Sequence, residues 1–253
     1  MKKFLTLIFA VFSPLLLAQE AEKKPSPHSL RLLCVGEVKG MENLIIAEKS
    51  GEVWLARWRI TVATQTISDV MGFATRDLCI ALDPAPPKKN DNFCGPAQKI
   101  KDTLEVKPLT AFSLPDSDTA IAILTPKVTD PNAKPDASQP YRVIMLDGAK
   151  ERFGDGKVLV QNFSNQIVAG VFGGKSVQIN PGKTEIVQPG IDTEPEMSQI
   201  TLAAKKDSKA DQWEPFCDTR WPAKVAYRRY MLLLPRADGG IHPFIMPEYP
   251  PYR

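Results

Sequence analysis

The sequence is poor in the residues on which most enzymes and metal sites depend. It contains only two histidines, His28 and His242, in 253 residues. The patterns G-x-S-x-G, H-E-x-x-H and C-x-x-C do not occur in it, so a nucleophile activated by histidine and a zinc site both lack their usual signature. We therefore expect no catalysis by histidine, no bound metal and no cofactor; the alternative is an enzyme that uses a pair of carboxylates as acid and base, as glycosidases do.

The sequence also lacks a strong charge of either sign. Its 32 basic and 29 acidic side chains give a formal net charge of +3. Two of these positive charges are lysines within residues 1–18, and without them the formal net charge of the chain is +1. Because a near-neutral chain exerts little long-range attraction on nucleic acid or on an anionic membrane, neither is expected as a partner.

Residues 1–18 have the three parts of a secretory signal peptide. Two lysines precede an apolar stretch from Phe4 to Leu17, and the small residue Ala18 follows. This stretch is shorter than the roughly 20 residues that a membrane span requires, and polar residues follow it directly. We predict cleavage after Ala18, a flexible leader over residues 19–29, a mature chain without a stable membrane span, and a periplasmic or secreted location. The alternative is an uncleaved anchor.

Export places the four cysteines where oxidation is possible. Cys79 and Cys94 flank a proline-rich loop, which favours a disulfide between them, and Cys34 would then pair with Cys217 by elimination. The alternative is four buried free thiols, since free cysteine is among the most buried residue types.

Prolines and glycines punctuate short apolar runs along the chain, a pattern typical of many strands joined by turns. The clearest alternation covers residues 53–62, where Trp54, Ala56, Trp58 and Ile60 would share one face of a half-buried strand. Residues 43–62 together predict a β-hairpin.

A second series of strands begins at Tyr141. Short turn segments separate predicted strands at 157–163, 167–172, 175–179 and 184–187, and such short connections predict an antiparallel meander. The continuous apolar run Met231–Leu234 predicts a strand buried on both faces.

Ala169 to Ser176 matches a relaxed phosphate-loop pattern. A phosphate loop must be followed by a helix, whereas the residues after Ser176 alternate like a strand. The sequence therefore predicts a two-residue hairpin turn at Gly173-Gly174 instead.

These patterns predict an all-β protein, an antiparallel β-sandwich built of two immunoglobulin-like or meander-type modules. The modules are placed at residues 30–125 and 141–253, with a proline-rich linker at 126–140. The alternative is one sandwich with long loops.

The best candidate for a binding site is the region around two tryptophans. Trp213 and Trp221, with Asp211 and Asp218 nearby, could line a cleft for a sugar or a peptide; the alternative is an irregular loop in which the tryptophans simply pack. Other acidic residues, Asp147 among them, fall in turns, where aspartate is favoured because it bonds to the backbone.

From Tyr141 onward, the order of a strand ending in Leu146-Asp147, a Phe153-Gly154 turn, the run Val158 to Ser164, and turns at Gly174-Lys175 and Pro181-Gly182 resembles a module of uncharacterised exported bacterial β-sandwich proteins. The resemblance implies a fold and an envelope location, and it transfers no functional residue.

Three hypotheses about function follow from the sequence. The first is a non-enzymatic binding or structural protein of the cell envelope, whose partner is an envelope protein or a glycan. The second is a secreted protein that binds or acts on carbohydrate through the Trp213 to Trp221 region. The third is an assembly partner that lends or accepts a strand at a sheet edge.

Overall fold

The computed structural model describes residues 27–35, 43–61, 66–84, 97–126, 141–190, 196–206, 212–236 and 238–251. These residues form four sheets in which antiparallel pairs predominate, which confirms the predicted all-β sandwich fold. No helix within these ranges has the length and apolar character needed to cross a membrane. The predicted signal peptide lies outside the described residues.

The first half of the chain forms one sandwich of two sheets. We call the first outer sheet 1, with the strand order β7 (Gln98–Lys99), β3 (Val53–Thr61), β2 (Asn43–Ser50), β6 (Asp77–Leu82) and β8 (Thr110–Ser113). The second is inner sheet 1, with the order β10 (Tyr141–Asp147), β9 (Thr119–Pro126), β1 (His28–Cys34) and β4 (Thr66–Ile67), while β5 (Met71–Phe73) also pairs with β1. Their facing surfaces enclose an apolar core.

The second half forms another sandwich. Inner sheet 2 has the order β14 (Thr184–Val187), β11 (Val158–Asn162), β17 (Arg228–Pro235) and β18 (Ile241–Glu248). Outer sheet 2 has the order β13 (Lys175–Ile179), β12 (Ile167–Phe172), β15 (Met197–Lys205) and β16 (Glu214–Pro222). A second apolar core lies between them.

The two sandwiches share one strand topology. In each inner sheet the first strand pairs in parallel with a late strand, β1 with β9 and β11 with β17, and that late strand pairs antiparallel with the next one, β10 or β18. In each outer sheet a hairpin, β2–β3 or β12–β13, pairs through its first strand with β6 or β15. We call residues 27–147 repeat 1 and residues 158–251 repeat 2.

The two inner sheets pack against each other and make a stack of four layers. The apolar cluster between them contains Ile121 and Ile123 from inner sheet 1 and Leu159 and Leu232 from inner sheet 2. Strand β17 is therefore buried on both faces, as its continuous apolar run predicts, since Met231 lies in the core of repeat 2 while Leu232 lies between the inner sheets.

The junction between the repeats differs from the division drawn at residue 141. Strand β10 pairs with β9 along its whole length, so it belongs to repeat 1, and residues 148–157 connect the repeats. The sequence pattern identifies β10 as a strand but carries no information about its pairing partner. Pro126 is the last residue of β9, and the rest of the predicted linker, 127–140, lies outside the described residues.

The hairpin β2–β3 forms as predicted. The side chains of Trp54, Ala56, Trp58 and Ile60, however, do not all lie on one face of β3. The register shifts where Ile46 and Ala47 oppose Trp58 and Ala56, so that one residue of β3 is extra. A bulge of this kind reverses the alternation. Trp58 therefore packs on the core of repeat 1, whereas Ala56 and Trp54 pack on the opposite side of outer sheet 1.

The predicted meander is wrong in its pairing. Strands β12 and β13 form the predicted hairpin, but β11 and β14 pair with each other in the opposite sheet. The turns between the sheets are held by Asn162, whose side-chain amide donates to the carbonyls of Gln166 at 2.8 Å and Ile179 at 3.0 Å. A short loop can thus cross between layers when one buried side chain satisfies its carbonyls.

Candidate functional site

A cleft of about 560 Å³ lies at the junction of the two repeats. Strand β10 contributes residues 145–147 to its lining, the connecting segment contributes Arg152 and Lys157, and β14 with the residue beyond it contributes 184–186 and Gln188. The cleft therefore lies between β10, an edge strand of inner sheet 1, and β14, an edge strand of inner sheet 2.

Backbone groups of β10 point out of its sheet on the open side. The amide of Gly148 donates to the carbonyl of Thr119 at 2.9 Å, and in an antiparallel pair every second residue bonds to the partner strand. Residues 142, 144 and 146 therefore bond to β9, while Val143 and Met145 direct their N–H and C=O groups away from it. Within the described residues β10 has no second neighbouring strand.

Strand β14 also directs backbone groups away from its neighbouring strand. The amide of Asn162 donates to the carbonyl of Lys183 at 3.0 Å, so Glu185 and Val187 bond to β11. The backbone groups of Thr184 and Ile186 point away from β11, on the side where these residues line the cleft. Two strand edges with outward hydrogen-bonding groups thus border one cavity.

The buried side chain of Arg228 fixes the connecting segment that forms the end of the cleft. Its Nη1 donates to the carbonyls of Gly148 at 3.1 Å and Phe153 at 2.8 Å, and its guanidinium lies 4.6 Å from the centroid of the Phe153 ring. That ring also makes an edge contact with Tyr230 at 5.2 Å. The carbonyls of the segment are therefore satisfied from inside the protein.

Glu248 joins the two repeats at the same place. Its carboxylate accepts from Arg228 and from the hydroxyl of Tyr230 in repeat 2, and it pairs at 2.8 Å with Arg31 of β1 in repeat 1. Burial raises the pKa of Tyr230 well above its usual range; the positive charge of Arg228 lowers it, and the carboxylate of Glu248 raises it further. The hydroxyl is therefore held protonated as a hydrogen-bond donor to the carboxylate.

The charged groups around the cleft are largely engaged with its own walls. Asp147 accepts from the amide of Ala149 at 3.0 Å and pairs with Arg152 at 3.2 Å, so it forms the predicted backbone-bonded turn. Burial raises the pKa of Asp147, but hydrogen bonds from Ala149 and Ser117 and the charge of Arg152 outweigh this, and the pKa is lowered. Lys157 Nζ donates to the carbonyls of residues 151 and 152 at 2.6 and 2.8 Å.

The surface that the cleft presents to a ligand therefore combines backbone groups and apolar side chains with the exposed carboxylate of Glu185. Met145 and Leu146 are half-buried, and Ile186 is 38% exposed, among the most exposed large apolar residues that the structure describes. Such a surface suits a ligand that offers amide groups and apolar side chains.

The structure separates the two tryptophans of the sequence-based candidate site. Trp221 is buried, with its ring edge-on to Phe172 at 6.3 Å and the Arg229 guanidinium 5.2 Å from its centroid. Trp213 is 40% exposed, and the Nζ of Lys205 lies 4.9 Å from its centroid. The extended strand β16 separates them by roughly 26 Å along the chain, so they do not line one cleft.

The two aspartates of that site are also apart from the buried tryptophan. Asp218 is exposed and accepts from the side-chain amide of Gln199, whose oxygen accepts from Arg220 Nε at 2.8 Å. This chain of polar groups lies on the solvent side of outer sheet 2. Asp211 lies outside the described residues.

No disulfide joins the described cysteines. Cys79 is a fully buried free thiol on β6, and burial raises its pKa to about 12, partly offset by a hydrogen bond from the backbone of Ala47. Its predicted partner, Cys94, lies outside the described residues. Cys34 and Cys217 pack with the cores of different repeats and are not bonded to each other.

The fold and the cleft define a β-sandwich protein of two repeats with an open groove at their junction. A scan of the sequence against protein-family models finds no match, and a search among curated proteins finds none either. The resemblance of the second half to exported β-sandwich proteins therefore stays an expectation.

Sequence reasoning did not identify the cleft. A usable signal was nevertheless present, because proline interrupts β18 at Pro243 and Pro247 and is absent from β10 and β14. Proline content distinguishes closed edges from open ones, but only after the strand order shows which strands are edges.

Proposed function

We propose that the protein is a non-enzymatic binding protein of the cell envelope and that its ligand occupies the cleft between β10 and β14. The observation that carries the proposal is the position of this cleft between two open strand edges, closed at one end by a segment that Arg228 holds from inside. A groove with fixed walls binds without a large ordering cost.

The electrostatics of the cleft favour binding over acid-base chemistry. Asp147 is held ionised by the groups that lower its pKa, and Lys157 is bonded to two carbonyls of the wall. A general acid or base operates best with a pKa near the working pH. Apolar contacts, backbone hydrogen bonds and the exposed side chains of Glu185 and Gln188 are the interactions that these walls offer.

The location belongs to the same proposal. Residues 1–18 have the pattern of a secretory signal peptide, and an exported chain meets its ligands in the periplasm or outside the cell. The ligand is accordingly sought among envelope components.

The experiment compares two isoleucines of inner sheet 2. A photo-crosslinking amino acid is placed at Ile186 in the cleft or at Ile245 on β18, which are 38% and 37% exposed. Irradiation of intact producing cells should give an adduct at position 186 that mass spectrometry identifies, and no such adduct at position 245. The identified component should then bind the purified mature protein saturably. Equal labelling from both positions, or none from either, contradicts the proposal.

A second candidate function is glycan binding at the solvent side of outer sheet 2. It is favoured by the exposed ring of Trp213, against which the Nζ of Lys205 lies, since the faces of exposed aromatic rings are surfaces on which sugars stack. Glycan-array binding that Trp213→Ala abolishes and Gln199→Ala, at the far end of the same sheet, leaves intact would support it, whereas binding unchanged in Trp213→Ala would remove it. Trp221→Ala is unsuitable as a test because Trp221 packs in the core.

A further inference from the structure

We infer that the cleft takes an extended polypeptide segment of a partner protein, which pairs as an additional strand with β10 of inner sheet 1. The inference rests on the proposed function and specifies the ligand of the same cleft. It is carried by a comparison of two equivalent edges in the two repeats.

Strands β10 and β18 occupy the same place in their repeats. Each is the last strand of its inner sheet, and each pairs antiparallel with the strand that runs parallel to the first. In the turn that joins β17 to β18 the amide of Arg236 donates to the carbonyl of Gly240 at 2.9 Å. The residues of β18 that bond to β17 therefore have even numbers, and Pro243 and Pro247 take outward positions.

The two edges differ in their capacity to accept another strand. Pro243 and Pro247 have no N–H group, and proline at outward positions is a common way to keep an edge from pairing. The outward positions of β10 carry Val143 and Met145, which have both backbone groups. Within the part of the chain that the structure describes, one of two equivalent edges is thus blocked by proline and the other offers its backbone groups.

Length and surroundings favour β10 over β14 as the pairing edge. Strand β10 has seven residues and β14 has four. A strand added to β10 lies about 4.8 Å from it, and its side chains alternate between the two faces of inner sheet 1. On one face they meet Leu146 and the exposed Ile186; on the other they meet β8, where Phe112 packs at the margin of the repeat 1 core.

The charge on β10 sets the composition of the partner segment. Arg142 is exposed and lies on the same face as Leu146, four residues away, and it forms no ion pair within the described residues. Opposite charges across a strand pair are favourable. The segment that fits has an acidic residue opposite Arg142, apolar residues opposite the rest of β10, and about five paired residues without proline.

The test uses a panel of synthetic peptides of roughly eight residues that carry one glutamate followed or preceded by a run of Val, Ile or Leu. Their binding to the mature protein is measured by fluorescence anisotropy. Each binding peptide is then made in two N-methylated forms. One form is methylated at the odd-numbered amide nitrogens and the other at the even-numbered ones, so that each form loses the N–H groups on one side of the strand. Only the form whose methyl groups replace the N–H groups that face β10 should fail to bind. Equal binding of both forms, or no binding by any peptide, overturns the inference.

Substitutions assign the edge. Met145→Pro removes an outward N–H of β10 without removing a bond to β9, and we expect it to weaken binding about tenfold or more. Ile245→Pro makes the matched change on β18, at an outward position between two existing prolines, and should leave binding unchanged. Arg142→Ala should weaken the glutamate peptides and leave peptides with glutamine in its place unaffected.

The outcomes separate this inference from the proposed function. Loss of binding with Ile186→Pro and wild-type binding with Met145→Pro would move the strand to β14 and overturn the assignment to β10. A non-peptide adduct at Ile186 would overturn strand addition while leaving the cleft as a binding site. If Met145→Pro is misfolded by circular dichroism, the two methylated peptide forms still decide the result on the wild-type protein.

Discussion

Arg228 and Glu248 form a two-pronged ion pair inside the protein, with Nε to Oε2 at 2.6 Å and Nη2 to Oε1 at 3.1 Å and side-chain exposures of 0% and 3%. The carboxylate also pairs with Arg31 of the other repeat. One carboxylate therefore pairs with a cation of each inner sheet, which ties the packing of the repeats to this group.

Removal of Glu248 should be strongly destabilising. Glu248→Ala leaves the charge of Arg228 buried without its counterion, and breaking a buried pair in this way costs about 3–5 kcal/mol of unfolding free energy. Urea denaturation of the purified protein provides the measurement. Lys224→Ala breaks the exposed pair of Lys224 with Glu196 and should cost less than about 1 kcal/mol; similar losses in the two variants would contradict this account of the junction.

Ionisation of Cys79 in the unfolded chain should lower the stability of the folded protein in alkaline solution. Its pKa is about 12 in the folded state against 9.0 for an ordinary thiol. Between these values the unfolded chain releases the proton while the folded chain keeps it, so rising pH favours unfolding by up to about 1.4 kcal/mol per pH unit. In Cys79→Ala this part of the slope should vanish from denaturation curves recorded between pH 9 and 12. An unchanged slope would show that the thiol is ionised or exposed in the native state.

Alkylation in the absence of reductant can show whether Cys79 is a free thiol. Because this side chain is a buried free thiol, iodoacetamide should leave it unlabelled in the native protein and label it after unfolding in urea, as peptide mass spectrometry would show. Cys217, which is only half-buried, serves as the internal comparison and should react earlier. Labelling of Cys79 that requires prior reduction would instead support the predicted bridge to Cys94.

Two neighbouring glycines in one hairpin turn should respond differently to alanine. Gly173 and Gly174 both have positive φ, 54° and 77°, so each substitution carries backbone strain of about 1–2 kcal/mol. A Cβ on Gly173 would lie 1.9 Å from the carbonyl oxygen of Gly190, whereas a Cβ on Gly174 meets nothing within 4 Å. Gly173→Ala should therefore lower the melting temperature much more than Gly174→Ala. Equal shifts would mean that the 190 segment moves freely away from the turn.

Much of the strand content could be predicted because it depends on local alternation and turn chemistry. The hairpin of residues 43–61 and the Gly173-Gly174 turn form as expected, since their signals lie within a few residues of one another. The face assignment for Trp54 is wrong, because a one-residue bulge in β3 leaves no mark on an otherwise regular pattern.

Local sequence patterns were also insufficient to predict the candidate site, whose residues are far apart in the sequence. Trp213 and Trp221 are close in sequence, but an extended strand carries them apart, and the residues that border the cleft come from strands some forty positions apart, such as Met145 and Ile186. Their approach depends on which sheet edges the two repeats bring together. No local pattern contains that information.

The order of residues alone was enough to define a chain of many short strands with a near-neutral charge, because these properties depend on composition and on neighbours along the backbone. Tertiary packing decided that the strands form two equivalent repeats, that Glu248 and Arg31 meet across them, and that the outward positions of edge strand β10 carry N–H groups where two of those of β18 are prolines. Those features arise from hydrogen bonds and apolar contacts between segments far apart in the chain, which exist only once the sheets have assembled.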